Sequence, residues 1–353
     1  MYTRKKYKIR DMIRWTRRET RFFLVFAAII TVLYEVVGLQ WVQLPWTPIA
    51  LIGTAVAFLI GFQNNAAYGR IWEARKIWGG IVNNSRTWTM LVRDMVSNEH
   101  AGVPKSEKEL KEERRTLVYR NIAWLTALRY ALRQQKPWET FARSGTNKEW
   151  HDKLNLAELN VPIEGELKKV LSAEDLAYVM SKKNKANAIL TLQSKHMREL
   201  KEGGYIWEFS FLEMEHILRE FFTLQGKSER IKNFPYPRQY ATLTYDFVNL
   251  FIFLLPLGIV PEFSKIGESL EILHPTLGAY FVWLSIPFSA IVSWIFNTMQ
   301  RIGTAGENPF EGSANDVPIT TMSRGIEIDL REMIDEEKED IPEPYPPVYD
   351  IQM

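Results

Sequence analysis

The chain has 353 residues, with 44 Lys and Arg against 42 Asp and Glu for a formal net charge of +2, and no cysteine. The missing cysteines exclude disulfides and thiolate metal sites and suit a cytoplasmic bulk. A mean hydropathy of −0.19 with 24% charged residues resembles a soluble protein, but the average hides segregation. Charges are nearly absent from stretches at about residues 22–39, 47–62, 243–261 and 276–299 and dense between 70 and 238.

A basic leader comes first, with Arg4, Lys5, Lys6, Lys8, Arg10, Arg14, Arg17, Arg18 and Arg21. It carries no cleavage signal and is expected to stay inside. Span one, FFLVFAAIITVLYEVVGL, has the single charge Glu35, and the link QWVQLPW after it has none. Each apolar stretch is about the length that crosses a ~30 Å hydrocarbon core as helix. Lys265 is the only basic residue between spans three and four, and Arg301 follows span four. Four spans therefore return the chain to its starting side, with both termini cytoplasmic. Trp41, Trp46 and Trp283 stand near span ends, where amphipathic rings favour the headgroup level.

Span two opens on Thr47-Pro48, a helix-start signal. Gly53, Ala57 and Gly61 then recur every four residues, with Thr54, Phe58 and Phe62 on the adjacent strip. Small residues at that spacing let helices approach closely in a membrane. The neighbouring strip is a candidate pore lining, because phenylalanines repeated by symmetry make apolar rings that gate by dewetting. Periodicity alone favours ordinary lipid-facing or core packing for the same strip. Gln63, Asn64 and Asn65 follow at once and demand polar partners or water. Further on, Arg70, Glu73 and Arg75 sit within reach of one another on a helix, flanked by Trp72 and Trp78.

Residues 70–238 carry long helical patterns broken by polar linkers such as SNEHAGVPKSEKE and ARSGTNKEWHD, which predicts an all-helical cytoplasmic domain. Pro256 and Pro287 are placed to interrupt spans three and four. Residues 326–340, IEIDLREMIDEEKED, read as a short acidic amphipathic helix. A proline-rich tail follows, read either as a solvated end or as a strap along an oligomer. The histidines are scattered, and Glu215-His216 is read as structural.

The string FQNNAAYGRIWEARKIWGGIVNNSR resembles the signature of the bestrophin family in its prokaryotic version, through Asn65, Arg70, Trp72, Glu73 and Arg75. NFPYPRQY before span three and ENPFEGSANDVPI after span four resemble further family segments, in the family's order. The resemblance implies an all-α integral membrane protein with four transmembrane helices per subunit, a helical cytoplasmic domain and a homopentamer around a central pore. The implied boundaries are a basic segment at 1–21, spans one and two within 22–69, the cytoplasmic domain at 70–238, spans three and four within 239–300 and a cytoplasmic tail at 301–353. By position, Thr54, Phe58 and Phe62 would ring the pore neck, with Thr54 standing where the family usually has an aliphatic side chain. Phe209 would form the cytosolic aperture, and Gln63, Asn64, Glu208 and Glu213 are candidates for selectivity or the vestibule.

Animal bestrophins bind calcium through an acidic run after Asn-Pro-Phe. Here that run is EGSANDV, which leaves Asn308 and Asp316 to a weak site and makes calcium unnecessary for opening. No cofactor and no enzyme activity are expected. The implied partners are four further copies of the subunit, the lipid bilayer and permeant monovalent ions, with no nucleic acid. The implied location is the bacterial inner membrane. Chloride or other anions are the expected cargo, a cation-selective channel of the same fold is the alternative, and a secondary transporter is a more distant one.

Overall fold

A computed structural model describes residues 1–139, 145–154 and 156–353. Its helices are α1 (Ile9–Glu35), α2 (Trp46–Met95), α3 (Glu107–Arg133), α4 (Gly145–Leu154), α5 (Ala157–Asn160), α6 (Ile163–Leu167) and α7 (Ala173–Ser181). They continue as α8 (Lys185–Glu202), α9 (Glu208–Asn233), α10 (Arg238–Glu271), α11 (Pro275–Tyr280), α12 (Ser285–Gly306) and α13 (Ile319–Met333). Among the described residues, β structure is limited to isolated bridges of Ile351 with Tyr2 and Val348. The expected linker at 142–152 lies partly outside the described residues.

The chain divides into two compact units. One comprises Arg4–Gly69 and Pro235–Glu307, the other Met1–Thr3, Arg70–Phe234 and Asn308–Met353.

In the first unit, Phe23, Val56, Ile60, Phe251 and Leu255 form a core in which none is more than 6% exposed. Between helices in a bilayer such packing is held by close fit and dispersion rather than by the hydrophobic effect. Polar ties join α1 to α12. Thr31 Oγ1 and Ser285 Oγ lie 3.1 Å apart, Trp294 Nε1 donates to Thr16 Oγ1 at 2.9 Å, and Arg301 pairs with Glu19 at 2.8 Å.

Among the described residues, three helical segments are long and apolar enough to cross a membrane: Gln40–Met95, Arg238–Glu271 and Pro275–Gly306. The helix expected for span one is not among them. Its charges Arg17, Arg18, Glu19 and Arg21 lie just before Phe22, and α1 ends at Glu35 rather than 39. The part that is both apolar and helical is therefore short. Pro256 and Pro261 lie inside α10, which remains unbroken, so the expected interruption of span three does not occur. Pro287 follows a 3₁₀ turn at Phe281–Leu284 and sits in the first turn of α12, where its missing N–H forfeits no helical bond.

The second unit is built around Trp78, Trp88, Trp124 and Phe221, each at most 1% exposed. Two of these three indoles place their N–H on an acceptor, as a buried indole usually does. Trp88 Nε1 donates to the Leu117 carbonyl at 3.3 Å and Trp124 Nε1 to Gln225 Oε1 at 2.9 Å. A capping box starts α3. Ser106 Oγ accepts from the Glu109 N–H at 3.3 Å, and Glu109 Oε2 accepts from the Ser106 N–H at 2.7 Å. Buried ion pairs tie α3 to α5, through Arg129 and Glu158 at 3.2 Å, and α9 to the segment after α3, through Lys232 and Glu139.

The end of the chain departs from expectation. The helix runs over Ile319–Met333 rather than 326–340, with Ile319, Ile326 and Leu330 supplying its buried face. Glu336 instead forms an ion pair with Arg115 at 3.3 Å and accepts from Arg331 at 3.4 Å. The tail is neither free nor solvated at its end. Ile351 is 3% exposed and packs with Leu154 and Leu156, and the Thr3 N–H donates to the Asp350 carbonyl at 2.8 Å.

Candidate functional site

α2 opens at Trp46 with Pro48 in its first turn. Helical spacing sorts its side chains by face. Val56, Ile60 and Gln63 turn inward and are at most 1% exposed, whereas Phe58 is 65% and Phe62 70% exposed. Thr54 shares the exposed strip, and its hydroxyl donates to the Ala50 carbonyl at 3.0 Å, leaving only lone pairs to face outward. The strip borders an open apolar groove of about 800 Å³ that also meets Gly53, Ala57, Gly61 and Asn65. A Cβ at Gly53 would stand 2.6 Å from Phe251 Cε2, so glycine there lets α10 approach α2.

Gln63 does not share the exposed strip. Its Nε2 donates to Glu307 Oε1 at 2.8 Å, and its own Oε1 and the Oδ1 of Asn64 are buried acceptors. Glu307 is 2% exposed and was absent from the sequence-based candidates. Its only local signal is a carboxylate directly before Asn308-Pro309.

Arg70 and Glu73 reach beyond their own helix. Arg70 Nη2 donates to the carbonyls of Ile231 and Phe234 at 3.0 and 2.9 Å, which satisfies the C-terminal end of α9 and places a cation at its negative pole. Glu73 pairs with Arg230 at 2.8 Å. Arg75 and Trp72 are exposed. These signature residues thus divide between fastening α2 to α9 and presenting groups outward.

Phe209 is the second residue of α9 and 63% exposed. Glu208 beside it pairs with Lys201 at 2.8 Å, while Glu213 is exposed. Glu215 accepts from Ser194 Oγ at 2.9 Å, a structural bond.

Asp316 is fully engaged. Its carboxylate accepts from the N–H groups of Gly312 and Ser313 at 2.7 and 3.0 Å and from Ser313 Oγ, with Arg133 at 3.9 Å. Burial pushes Asp316 above the usual carboxylate range and Arg133 below the usual guanidinium value. Asn308 donates to Glu311 at 3.3 Å. Among the described residues no group of three or more His, Cys, Asp or Glu is placed to hold a metal ion.

Comparison with known proteins places this architecture. The voltage-dependent anion channel-forming protein YneE of Escherichia coli K12 is 26% identical over 316 residues, 89% of this chain and 84% of that protein. The voltage-dependent anion channel-forming protein RSc3414 of Ralstonia nicotianae is 28% identical over 320 residues, 90% of this chain and 87% of that protein. The crystal structure of a bacterial bestrophin homologue from Klebsiella pneumoniae superposes with a TM-score of 0.70 at 22% identity, covering 90% of this chain and 98% of that one. The model of the bacterial and fungal bestrophin proteins matches residues 12–332, and the chain belongs to that family.

Proposed function

We propose that the protein is one subunit of a homopentameric channel of the bacterial inner membrane. It conducts monovalent ions, chloride and other anions foremost, through a pore on the symmetry axis. α1, α2, α10 and the Pro275–Gly306 segment make the four crossings, and both termini and residues 70–238 are cytoplasmic. Thr54, Phe58 and Phe62 ring the neck, and Phe209 rings the exit aperture.

One observation carries this. A helix apolar enough to cross a membrane exposes two phenylalanines one turn apart, at 65% and 70%. Exposed apolar surface of that kind marks contact with lipid or a partner. Gly53, Ala57 and Gly61 beside it suit close approach of neighbouring helices. With the strip on a symmetry axis, stacked aromatic rings form a gate that opens by wetting. Relatives named as anion channel-forming proteins support the same function.

A bare Glu208 at a narrow exit would favour cations, but its pairing with Lys201 at 2.8 Å sets a positive charge beside that carboxylate and favours anions. Glu213, exposed on α9, is the residue that speaks for the cation-selective alternative. Purified protein in planar bilayers under a KCl gradient decides between them. A reversal potential near the chloride equilibrium value is expected, and one near the potassium value overturns anion selectivity. A native mass of five 41.2 kDa chains is expected in detergent, and a monomer or dimer overturns the axial pore.

A further inference from the structure

Trp207 caps the start of α9 in extended backbone, at φ −72° and ψ 154°. Its ring meets Phe209 edge to face, with centroids 4.9 Å apart and planes at 69°. The His100 ring lies 5.8 Å from it between ring centroids. Trp207 and Phe209 are 52% and 63% exposed, so the stack orders groups at a surface rather than filling a core. A lone exposed phenylalanine would exchange rotamers within nanoseconds. The edge-to-face pair gives this one a preferred orientation.

The support behind Trp207 is stiff. Asn98 closes its loop by donating to the Lys105 carbonyl at 2.7 Å and accepting from the Lys105 N–H at 3.0 Å. The Ser97 N–H donates to the Tyr205 carbonyl at 2.9 Å, and Tyr205 Oη donates to the Val103 carbonyl at 2.8 Å. Gly204, at φ +77°, lies so close to the His100 carbonyl that a Cβ would overlap it, so angle and space both require glycine. Glu208, between the two rings in sequence, turns away to Lys201.

We infer that Trp207 is a positioning residue for the exit aperture: it holds the Phe209 ring in one orientation and thereby sets the size of ion that passes. This rests on Phe209 lining the exit, as proposed above.

Bi-ionic reversal potentials of the reconstituted full chain, over chloride, nitrate, thiocyanate and benzoate, read that size limit. Trp207→Ala releases the Phe209 ring and raises the permeability of the larger anions relative to chloride by roughly two- to tenfold, the population change that losing one aromatic pair produces. Open probability stays at the wild-type level. Trp207→Phe keeps a ring edge against Phe209 and restores the wild-type ratios. Trp207→Leu keeps bulk without that edge and behaves as Trp207→Ala, and it serves where the alanine variant does not assemble. Phe209→Ala separates the two ways of failing. Wild-type ratios in Phe209→Ala overturn the exit assignment itself. Altered ratios in Phe209→Ala beside wild-type ratios in Trp207→Leu leave the aperture standing and overturn the positioning role.

Discussion

Replacing both Phe58 and Phe62 by alanine is the most direct probe of the proposed neck. A phenylalanine carries about 200 Å² of surface, so at 65% and 70% exposure each ring presents on the order of 130 Å² outside its own chain. Truncation to alanine removes roughly 80 Å² of that, about 2 kcal/mol of wetting penalty per ring per subunit at 25 cal/mol/Å². The penalty at a single ring side chain, about 2 kcal/mol, already exceeds the 1.4 kcal/mol that corresponds to a tenfold rate change. Current through the double variant in bilayers is therefore expected to rise about tenfold or more. Chloride-to-potassium selectivity changes less, because the rings carry no charge. Folding stability is nearly untouched, since neither ring is buried within the subunit. Ile60→Ala, at 0% exposure on the opposite face, costs about 2–4 kcal/mol in a denaturation assay and serves as the contrast. Unchanged current from a correctly assembled double variant would refute the neck and mean that the strip faces lipid or a neighbouring helix.

Calcium should not gate the channel: Asp316 is occupied by backbone donors and Arg133, so currents recorded in chelator and in micromolar calcium should coincide. His196 accepts from Arg120 at 2.9 Å and faces Glu113 at 2.7 Å. Burial, and then the Arg120 charge, pull its pKa below 6.5 against the opposing Glu113. A lowered histidine pKa means that the unfolded chain binds the proton more readily. The stabilising contribution is thus complete above about 6.5 and is lost as pH falls through the folded value, and thermal melts between pH 5 and 8 should show a slope that His196→Gln flattens. Gly53→Val places a branched side chain against Phe251 and should destabilise the subunit by about 1–3 kcal/mol, measured by thermal melting in detergent.

Much of α2 was readable from the sequence. The strip Thr54, Phe58, Phe62 and the glycine strip beside it follow from a four-residue spacing, which is a property of one helix and needs no knowledge of its neighbours. The family signature was readable for the same reason, as an unbroken local string. The partners of that signature were not. Arg70, Glu73 and Arg75 are near one another in sequence, so a local bond looked available, but α9 lies alongside and offers Arg70 bare helix-end carbonyls. A guanidinium satisfies those better than it serves an exposed pair on its own helix, which is worth only a few tenths of a kcal/mol.

The sequence by itself determined which stretches are apolar, which face of α2 carries its aromatic strip, and to which family the chain belongs, since composition and spacing are carried by consecutive residues. Tertiary structure alone decided that α1 ends at Glu35, that Gln63 is turned toward Glu307, that Asp316 lies beside Arg133, and that the final residues fold back beside the first. Each of these depends on groups more than a hundred residues apart, or on where packing stops rewarding another helical turn. Such outcomes are set by the crossing of helices in space, and periodicity along one helix does not encode them.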